Sequence, residues 1–349
     1  MKILHIEDEP WDSGIAHYAL TLCAELRRLG HEVHFWGRRG SPLVPAAERA
    51  GLRTRGLRRP WASLHRLRAQ VRAAGIELID AHTGSGHALA AALAALTRVA
   101  VVRTRGDARL AARHPLARLL SRRTDAYIAA NSAIARELRA AFPWARVATV
   151  FQGIAAGPAL PLPGRCVFGL LGRLDPVKGH DAFLRAAAEV RKAHPEASFR
   201  VVGGGAPLRR SELEGRAKSL GLAGRCEFTG FAADVPAELA RCRVGVVASV
   251  GSEAVSRAAL EWMAAGRPVV ATSVGCLPDL VEDGATGFLV EPGDPGALAR
   301  AMRRFLAEPA LAERLGAAAR RRFDERYSLD RFADETLKVY GQLIRHLPS

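Results

Sequence analysis

Followed as a pattern of apolar and polar positions, the chain resolves into two series of short apolar runs, each run leading through a loop into a segment of helical spacing. Residues 2–6 form the first apolar strand, which ends in an acidic, glycine-containing loop over 7–14. A helix is predicted over 16–29, with Ala19, Leu22, Cys23, Leu26 and Leu29 on one face and Gly30 as its C-cap. Residues 32–36 are the next strand, so the chain opens as a βαβ unit. Further strands are expected around Leu57 and over 76–81, 99–103, 125–131 and 147–151. Between them, 64–74 has the pattern of a basic amphipathic helix with Leu64, Leu67 and Val71 inward. The Pro/Gly-rich stretch 157–164 reads as a linker.

The second series repeats the plan. Strands are predicted over 167–171, 199–202, 226–228, 244–250 and 269–272, the fourth breaking at Gly251-Ser252. Helices follow over 181–193, 256–265, 295–307 and 311–323, with Gly266 closing the second of them. The last segment starts at Ser328, a good N-cap, and carries Leu329, Phe332, Thr336, Val339, Tyr340, Leu343 and Leu347 at helical spacing. The class is α/β with parallel sheets, whose ligands bind at the carboxyl ends of the strands.

Length and composition narrow this picture. At 349 residues the chain suggests two domains. Its five cysteines are scattered without CxxC or Cys/His clustering, which points to a reducing compartment and away from a zinc or disulfide framework. No secretory signal opens the chain, and the longest apolar stretch, 88–102, is too short to span a bilayer. A cytoplasmic protein is expected, either free or peripheral on the inner face of a membrane. The net charge of +16 is uneven: between Glu48 and Glu77 there are eight arginines and no acid, and from Arg98 to Arg123 Asp107 is the only acid. Such a surface suits anionic lipid headgroups. Arginines that are merely solvated remain the alternative. Nucleic acid is the weaker partner, since no helix-turn-helix, finger spacing or aromatic RNA-binding signature accompanies the charge.

The candidate chemistry sits mainly in the second half. Glu253 and Glu261 are eight positions apart, and on one helix eight steps of about 100° would leave them roughly 80° out of line. Glu253 is therefore read as loop and Glu261 as helix, reaching different parts of one ligand; two solvated surface acids are the alternative. This E-x7-E spacing, with Ala264-Ala265-Gly266 and Pro268-Val269-Val270 after it, resembles the signature of retaining nucleotide-sugar glycosyltransferases, family 4. The block Gly172-Arg173-Leu174-Asp175-Pro176-Val177-Lys178-Gly179 resembles the same family, as does the opening βαβ unit.

The resemblance implies a GT-B architecture: two Rossmann-like domains facing across a cleft, an acceptor domain over 1–156, a nucleotide-sugar domain over 165–327, and a C-terminal helix over 328–349 crossing back to the first. It implies a metal-independent hexosyltransferase that retains anomeric configuration, with a UDP- or GDP-type sugar as co-substrate and no other cofactor. Arg173, Lys178 and Glu253 are the implied catalytic residues, the two cations stabilising the charge that grows on the leaving diphosphate. Glu253 is expected to hold donor-sugar hydroxyls and Glu261 the ribose hydroxyls. Gly14, Gly203, Phe231, Ser256 and Arg257 complete the expected nucleotide-sugar contacts, although Gly14 and the triple glycine at 203–205 also read as ordinary turns and Phe231 as a core aromatic. His82, Arg105 and Asp107 are assigned to the acceptor, His82 also reading as a structural histidine.

Three departures stand out. The first loop carries Ser13-Gly14 where the family has two glycines, Arg105 stands near a usual histidine, and Ala254-Val255-Ser256-Arg257 replaces a Gly-aromatic-Gly run. Given the basic first domain, the expected acceptor is a glycan or lipid-linked molecule, lipopolysaccharide-type glycans included. The alternatives are a soluble transferase acting on a small molecule, a basic nucleic-acid-binding protein, and a catalytically silent sugar-binding relative.

Overall fold

The computed structural model describes residues 1–11, 13–107, 114–205, 207–251 and 253–344. Ser252 and Leu347 therefore lie outside the described residues, as does part of the second basic stretch. The chain divides into two units, the first being Met1–Gly153 with the C-terminal residues from Leu329, the second Ile154–Ser328.

The first unit is built on seven parallel strands: β1 Lys2–Glu7, β2 Glu32–Arg38, β3 Arg53–Leu57, β4 Leu78–Ala81, β5 Ala100–Arg105, β6 Ala126–Ala129 and β7 Val147–Thr149. Their order, β3-β2-β1-β4-β5-β6-β7, reverses between β1 and β4, the switch point at which doubly wound sheets open a crevice. Ile3, Leu4, Ile6, Leu78, Ile79, Val101 and Val102 are fully buried, as apolar strands covered on both faces must be. Helix Gly14–Arg28 is started by Ser13, whose Oγ accepts from Ala16 N at 3.2 Å. Helix Gly84–Thr97 was not legible from periodicity, because its alanines and leucines leave no polar stripe to reveal the turn. The terminal helix, Leu329–Ile344, belongs to this unit: Phe332 meets Tyr18 edge-on at 4.6 Å, and Tyr340 donates to Asp80 Oδ2 at 2.6 Å.

The second unit carries six parallel strands: β8 Val167–Leu171, β9 Ser198–Val202, β10 Cys226–Gly230, β11 Val244–Val247, β12 Val269–Thr272 and β13 Gly287–Val290, in the order β10-β9-β8-β11-β12-β13. Phe168, Leu170, Phe183, Val201, Val246 and Val270 form its core with the helices on either side. Strand β11 is shorter than the apolar run predicts. Its residues beyond Val247 leave the ladder for other partners, Val250 N donating to Val177 O at 2.9 Å and Ser249 O accepting from Thr272 Oγ1 at 2.6 Å.

The stretch read as a linker is instead strapped to this unit. Leu160 N donates to Ala265 O at 3.1 Å, and fully buried Arg267 donates to the carbonyls of Leu160 and Pro161 at 2.5 and 2.7 Å. Arg243 donates to Pro163 O at 2.8 Å, and Ile154 forms an isolated bridge with Ser328. Proline carbonyls without neighbouring N–H groups suit guanidinium forks, which only donate. The boundary accordingly falls after Gly153 rather than after 156, and residues 154–164 are part of the second unit. Among the described residues no helix is long and apolar enough to cross a membrane.

Candidate active site

Loops at the carboxyl ends of β8, β9 and β11 are braced backbone to backbone. After β8, Asp175 Oδ1 accepts from Val177 N at 3.0 Å and starts the short turn Pro176–Lys178. Gly179 follows at φ +71°, and a Cβ there would fall 1.8 Å from Ala248 O. Gly203, after β9, stands at φ +140°, where a Cβ would fall 1.9 Å from Gly172 O. Only glycine permits both the left-handed conformation and that approach, so these positions hold the two loops against their neighbours.

That bracing supports one buried charge pair. Glu253 is 1% exposed; its Oε1 accepts from Lys178 Nζ at 2.5 Å and from Ser249 Oγ at 2.6 Å, while Oε2 has no partner among the described residues. Its backbone is gripped as well, Glu253 O accepting from Cys276 N at 2.7 Å. Lys178 is 24% exposed and Glu253 is buried, so removing Lys178 would leave a buried carboxylate unpaired. Ser256 is also buried and its Oγ has no partner among the described residues, although it precedes helix Arg257–Ala264 where a hydroxyl commonly caps. Two buried oxygens without partners are places for donors from elsewhere, such as sugar hydroxyls.

Glu261 lies on that helix and pairs with Arg257, Nε to Oε1, at 3.1 Å. Burial pushes its carboxyl above the usual range, and Arg257 works against the rise. Both line a cavity of about 350 Å³ with Ile154, Pro158, Val235 and Leu239. Arg173 is 65% exposed and reaches Asp175 at 3.3 Å. Phe231 is 90% exposed after Gly230, which removes the core-aromatic reading. The structure thus joins Lys178 to Glu253 and Arg257 to Glu261, and leaves Arg173 and Phe231 facing solvent. Ser249, which fixes Glu253, carried no motif signal, being one hydroxyl at the end of an apolar run.

In the first unit, a cavity of about 1130 Å³ opens at the carboxyl ends of β1, β2, β3 and β4. Asp107 and His82 line it, as does Ile15 beside Gly14, which is itself exposed at the start of its helix. Arg105, expected to meet the acceptor, is 7% exposed and lies 3.1 Å from Asp107 and 3.7 Å from Glu137, because it ends a strand buried on both faces. His82 is 1% exposed, and its Nε2 lies 3.0 Å from His5 Nδ1. The sugar-hydroxyl contact expected of His82 is therefore not available from Nε2.

No His/Asp ligand cluster was expected, yet His5, Asp80 and His82 converge within 4.8 Å, brought together by β1 and β4 pairing side by side. Asp80 is satisfied from outside the cluster, accepting from Tyr340 OH at 2.6 Å and Thr104 Oγ1 at 2.8 Å, and the two imidazoles bond together, while His5 Nε2 and His82 Nδ1 are buried without a partner among the described residues. Burial drives His5 down to about 3 and Asp80 up to about 7, so both rings are neutral near neutral pH.

Comparison with known proteins places these features in a family. Residues 13–156 match the model described as Glycosyltransferase Family 4, and residues 165–308 that described as Glycosyl transferases group 1. The chain is 39% identical over 195 residues to a D-inositol 3-phosphate glycosyltransferase of Streptomyces avermitilis, covering 53% of this chain and 42% of that one. It is 34% identical over 197 residues to the lipopolysaccharide core biosynthesis mannosyltransferase LpcC of Rhizobium leguminosarum bv. viciae, 55% of this chain and 54% of that one. The chain thus spans about half the length of the relatives it matches. Among solved structures, Anabaena Alr3699/HepE in complex with UDP superposes with a TM-score of 0.86 at 20% identity, over 98% of this chain and 100% of that one. The same Anabaena protein with UDP-glucose gives 0.80, over 98% and 100% at 20% identity.

Proposed function

Because the chain belongs to the family 4, group 1 glycosyltransferases, we propose that it transfers a sugar from a nucleoside diphosphate sugar to a hydroxyl of a small-molecule acceptor. The observation that carries the reading is the Lys178–Glu253 pair, buried at loops held in place by Gly179 and Gly203. Lys178 and Arg173 take the diphosphate, and the loop runs into the N-terminus of helix His180–Ala193, whose free N–H groups favour an anion. As the bond between the anomeric carbon and the diphosphate oxygen breaks, the electron pair leaves with the diphosphate and the two cations stabilise it. The acceptor oxygen bonds to the anomeric carbon on the same face and passes its proton to the departing diphosphate, so configuration is retained.

Glu253 Oε2 and Ser256 Oγ, both buried without partners, take donor-sugar hydroxyls, and Glu261 takes the ribose hydroxyls. The uridine base is the first to test, since the Anabaena structures contain UDP and UDP-glucose; Phe231, being exposed, is our candidate to stack on it. A small acceptor is favoured over the glycan or lipid-linked acceptor expected from sequence, because several Streptomyces relatives are D-inositol 3-phosphate glycosyltransferases. The Rhizobium mannosyltransferase supports a glycan acceptor as the second reading.

Thermal-shift screening with UDP, GDP, ADP and their sugars tests the donor half, since a ligand of the folded state raises the midpoint as RT ln(1 + [L]/Kd). One nucleotide is expected to stand out, with slow acceptor-free hydrolysis of its sugar. If none shifts the midpoint and none of the sugars is consumed with or without inositol phosphate, the reading is lost.

A further inference from the structure

The large cavity of the first unit has two chemically distinct sides. On one side are three acids, each already engaged: Asp8 accepts from the Thr83 hydroxyl, Glu9 from the Ser13 hydroxyl, and Asp107 pairs with Arg105. On the other side are Arg38, Arg39, Arg58 and Arg59, all exposed, and none of their guanidinium groups has an ion-pair or hydrogen-bond partner among the described residues. They form two adjacent pairs on neighbouring strands. Arg38 ends β2 opposite Leu57, Arg39 N donates to Leu57 O at 3.0 Å, and Arg58-Arg59 continue from β3. The two pairs therefore leave the sheet side by side at its carboxyl edge, where ligands of doubly wound sheets bind.

Four like charges held at one cavity wall repel one another, and Arg59 adds a left-handed backbone at φ +49°, uncommon for a residue with a side chain. Guanidinium forks match the oxygens of a phosphate two at a time, and a dianion would offset the repulsion. Trp11, 59% exposed, lines the same cavity, and an aromatic ring there suits a polyol or sugar.

We propose that Arg38, Arg39, Arg58 and Arg59 form a phosphate-monoester subsite, and that the acceptor is a phosphorylated polyol or sugar whose hydroxyls face the acidic side of the cavity. This rests on the acceptor half of the proposed reaction, and equilibrium binding tests it without turnover. Titration calorimetry with the full chain would use inorganic phosphate, inositol 3-phosphate and glucose 6-phosphate against inositol and glucose. Co-sedimentation with phosphatidylcholine vesicles carrying phosphatidic acid supplies the same monoester from a lipid headgroup.

At least one phosphate monoester is expected to bind roughly tenfold or more tightly than its unphosphorylated counterpart, the effect of charge-assisted hydrogen bonds. The double variant Arg38→Ala/Arg58→Ala is expected to lose that preference, while Arg66→Ala, on the exposed face of helix Leu64–Ala73, keeps it. Binding of UDP is expected to be equal in all three, which also shows that the variants are folded. Preference confined to the vesicles, and lost in the double variant, keeps the subsite and assigns the phosphate to a lipid. The inference is overturned if no phosphate monoester, free or on vesicles, is bound more weakly by the double variant than by the parent chain. Absence of UDP binding in every chain would instead count against the donor reading, independently of this result.

Discussion

The two units share a fold and differ in how they hold charge. In the second, the loops after β8 and β11 touch through their backbones, and the central cation and carboxylate are already paired, Lys178 to Glu253, with one carboxylate oxygen left over. In the first, the cavity is wider, its acids are occupied by hydroxyls and arginine, and four arginines stand without partners among the described residues. A rigid, neutralised site suits a group that is the same in every turnover, a diphosphate. An open wall of one charge suits a ligand recognised by its anion and is free to vary in everything else.

The sharpest way to break that contrast is Lys178→Ala. Losing a preorganised cation at the leaving group is expected to lower turnover about 100- to 1000-fold, including acceptor-free hydrolysis of the donor. Donor hydrolysis at the parent rate would remove the second unit from the chemistry.

Backbone bracing is tested next. Gly179→Ala places a Cβ against Ala248 O at a positive φ and is expected to cost about 3 kcal/mol, read from denaturant midpoints. Gly84→Ala, at the first turn of its helix in the first unit with open space around its Cβ position, is expected to stay within about 0.5 kcal/mol of the parent. Equal costs would mean that the second unit's loops are no more tightly held than a helix start.

Ser256→Ala separates stability from function inside one unit. Deleting a buried hydroxyl that has no partner is expected to raise stability by about 1 kcal/mol and to weaken donor binding about tenfold. An unchanged Kd for the nucleotide sugar would show that this oxygen does not meet the donor.

The smallest effect concerns pH. Burial raises Glu7 to about 8 and Asp80 to about 7, and lowers His5 and His87 to about 3. The carboxyl groups bind more protons folded than unfolded, so their contribution is complete below their unfolded values near 4 and is lost as pH rises to their folded values. The histidines act in the opposite sense, adding stability from about pH 3 until unfolded histidine is neutral, above about 6.5. From about pH 6.5 to 8 the loss is unopposed, and the thermal midpoint of the first unit is expected to fall. The paired variants Glu7→Gln and Asp80→Asn are expected to flatten that slope; a slope that persists in both would place its origin elsewhere.

The loop after β8 was legible through its family-like block ending in Gly179, whereas Gly203 also read as an ordinary turn; the structure supplies the main-chain reason for both. A positive φ and a carbonyl under 2 Å from a hypothetical Cβ leave one residue type possible, and Gly179 and Gly203 therefore stand at fixed places beside Lys178. Glu253 in a loop and Glu261 on a helix followed from angular spacing alone. Helix Gly84–Thr97 was missed because its exposed positions, Gly84, Ser85, Ala95 and Leu96, form no polar stripe, and the strapping of residues 154–164 because it depends on Arg243 and Arg267 donating across 80 or more positions. The burial of Arg105 and its pairs with Asp107 and Glu137 were not legible, because a strand end and a buried ion-pair site look alike in a basic stretch.

What the sequence determined by itself is local: which runs become strands, where the chain must turn through glycine, and which charges fall in the turns after strands, since periodicity and φ preference act over a few residues. Only the tertiary structure decided which distant side chains meet. Parallel pairing of β1 with β4 brings His5 to His82, and pairing of β2 with β3 sets Arg38-Arg39 beside Arg58-Arg59. Such meetings depend on strand order, which the crossover helices impose and no single stretch of sequence encodes.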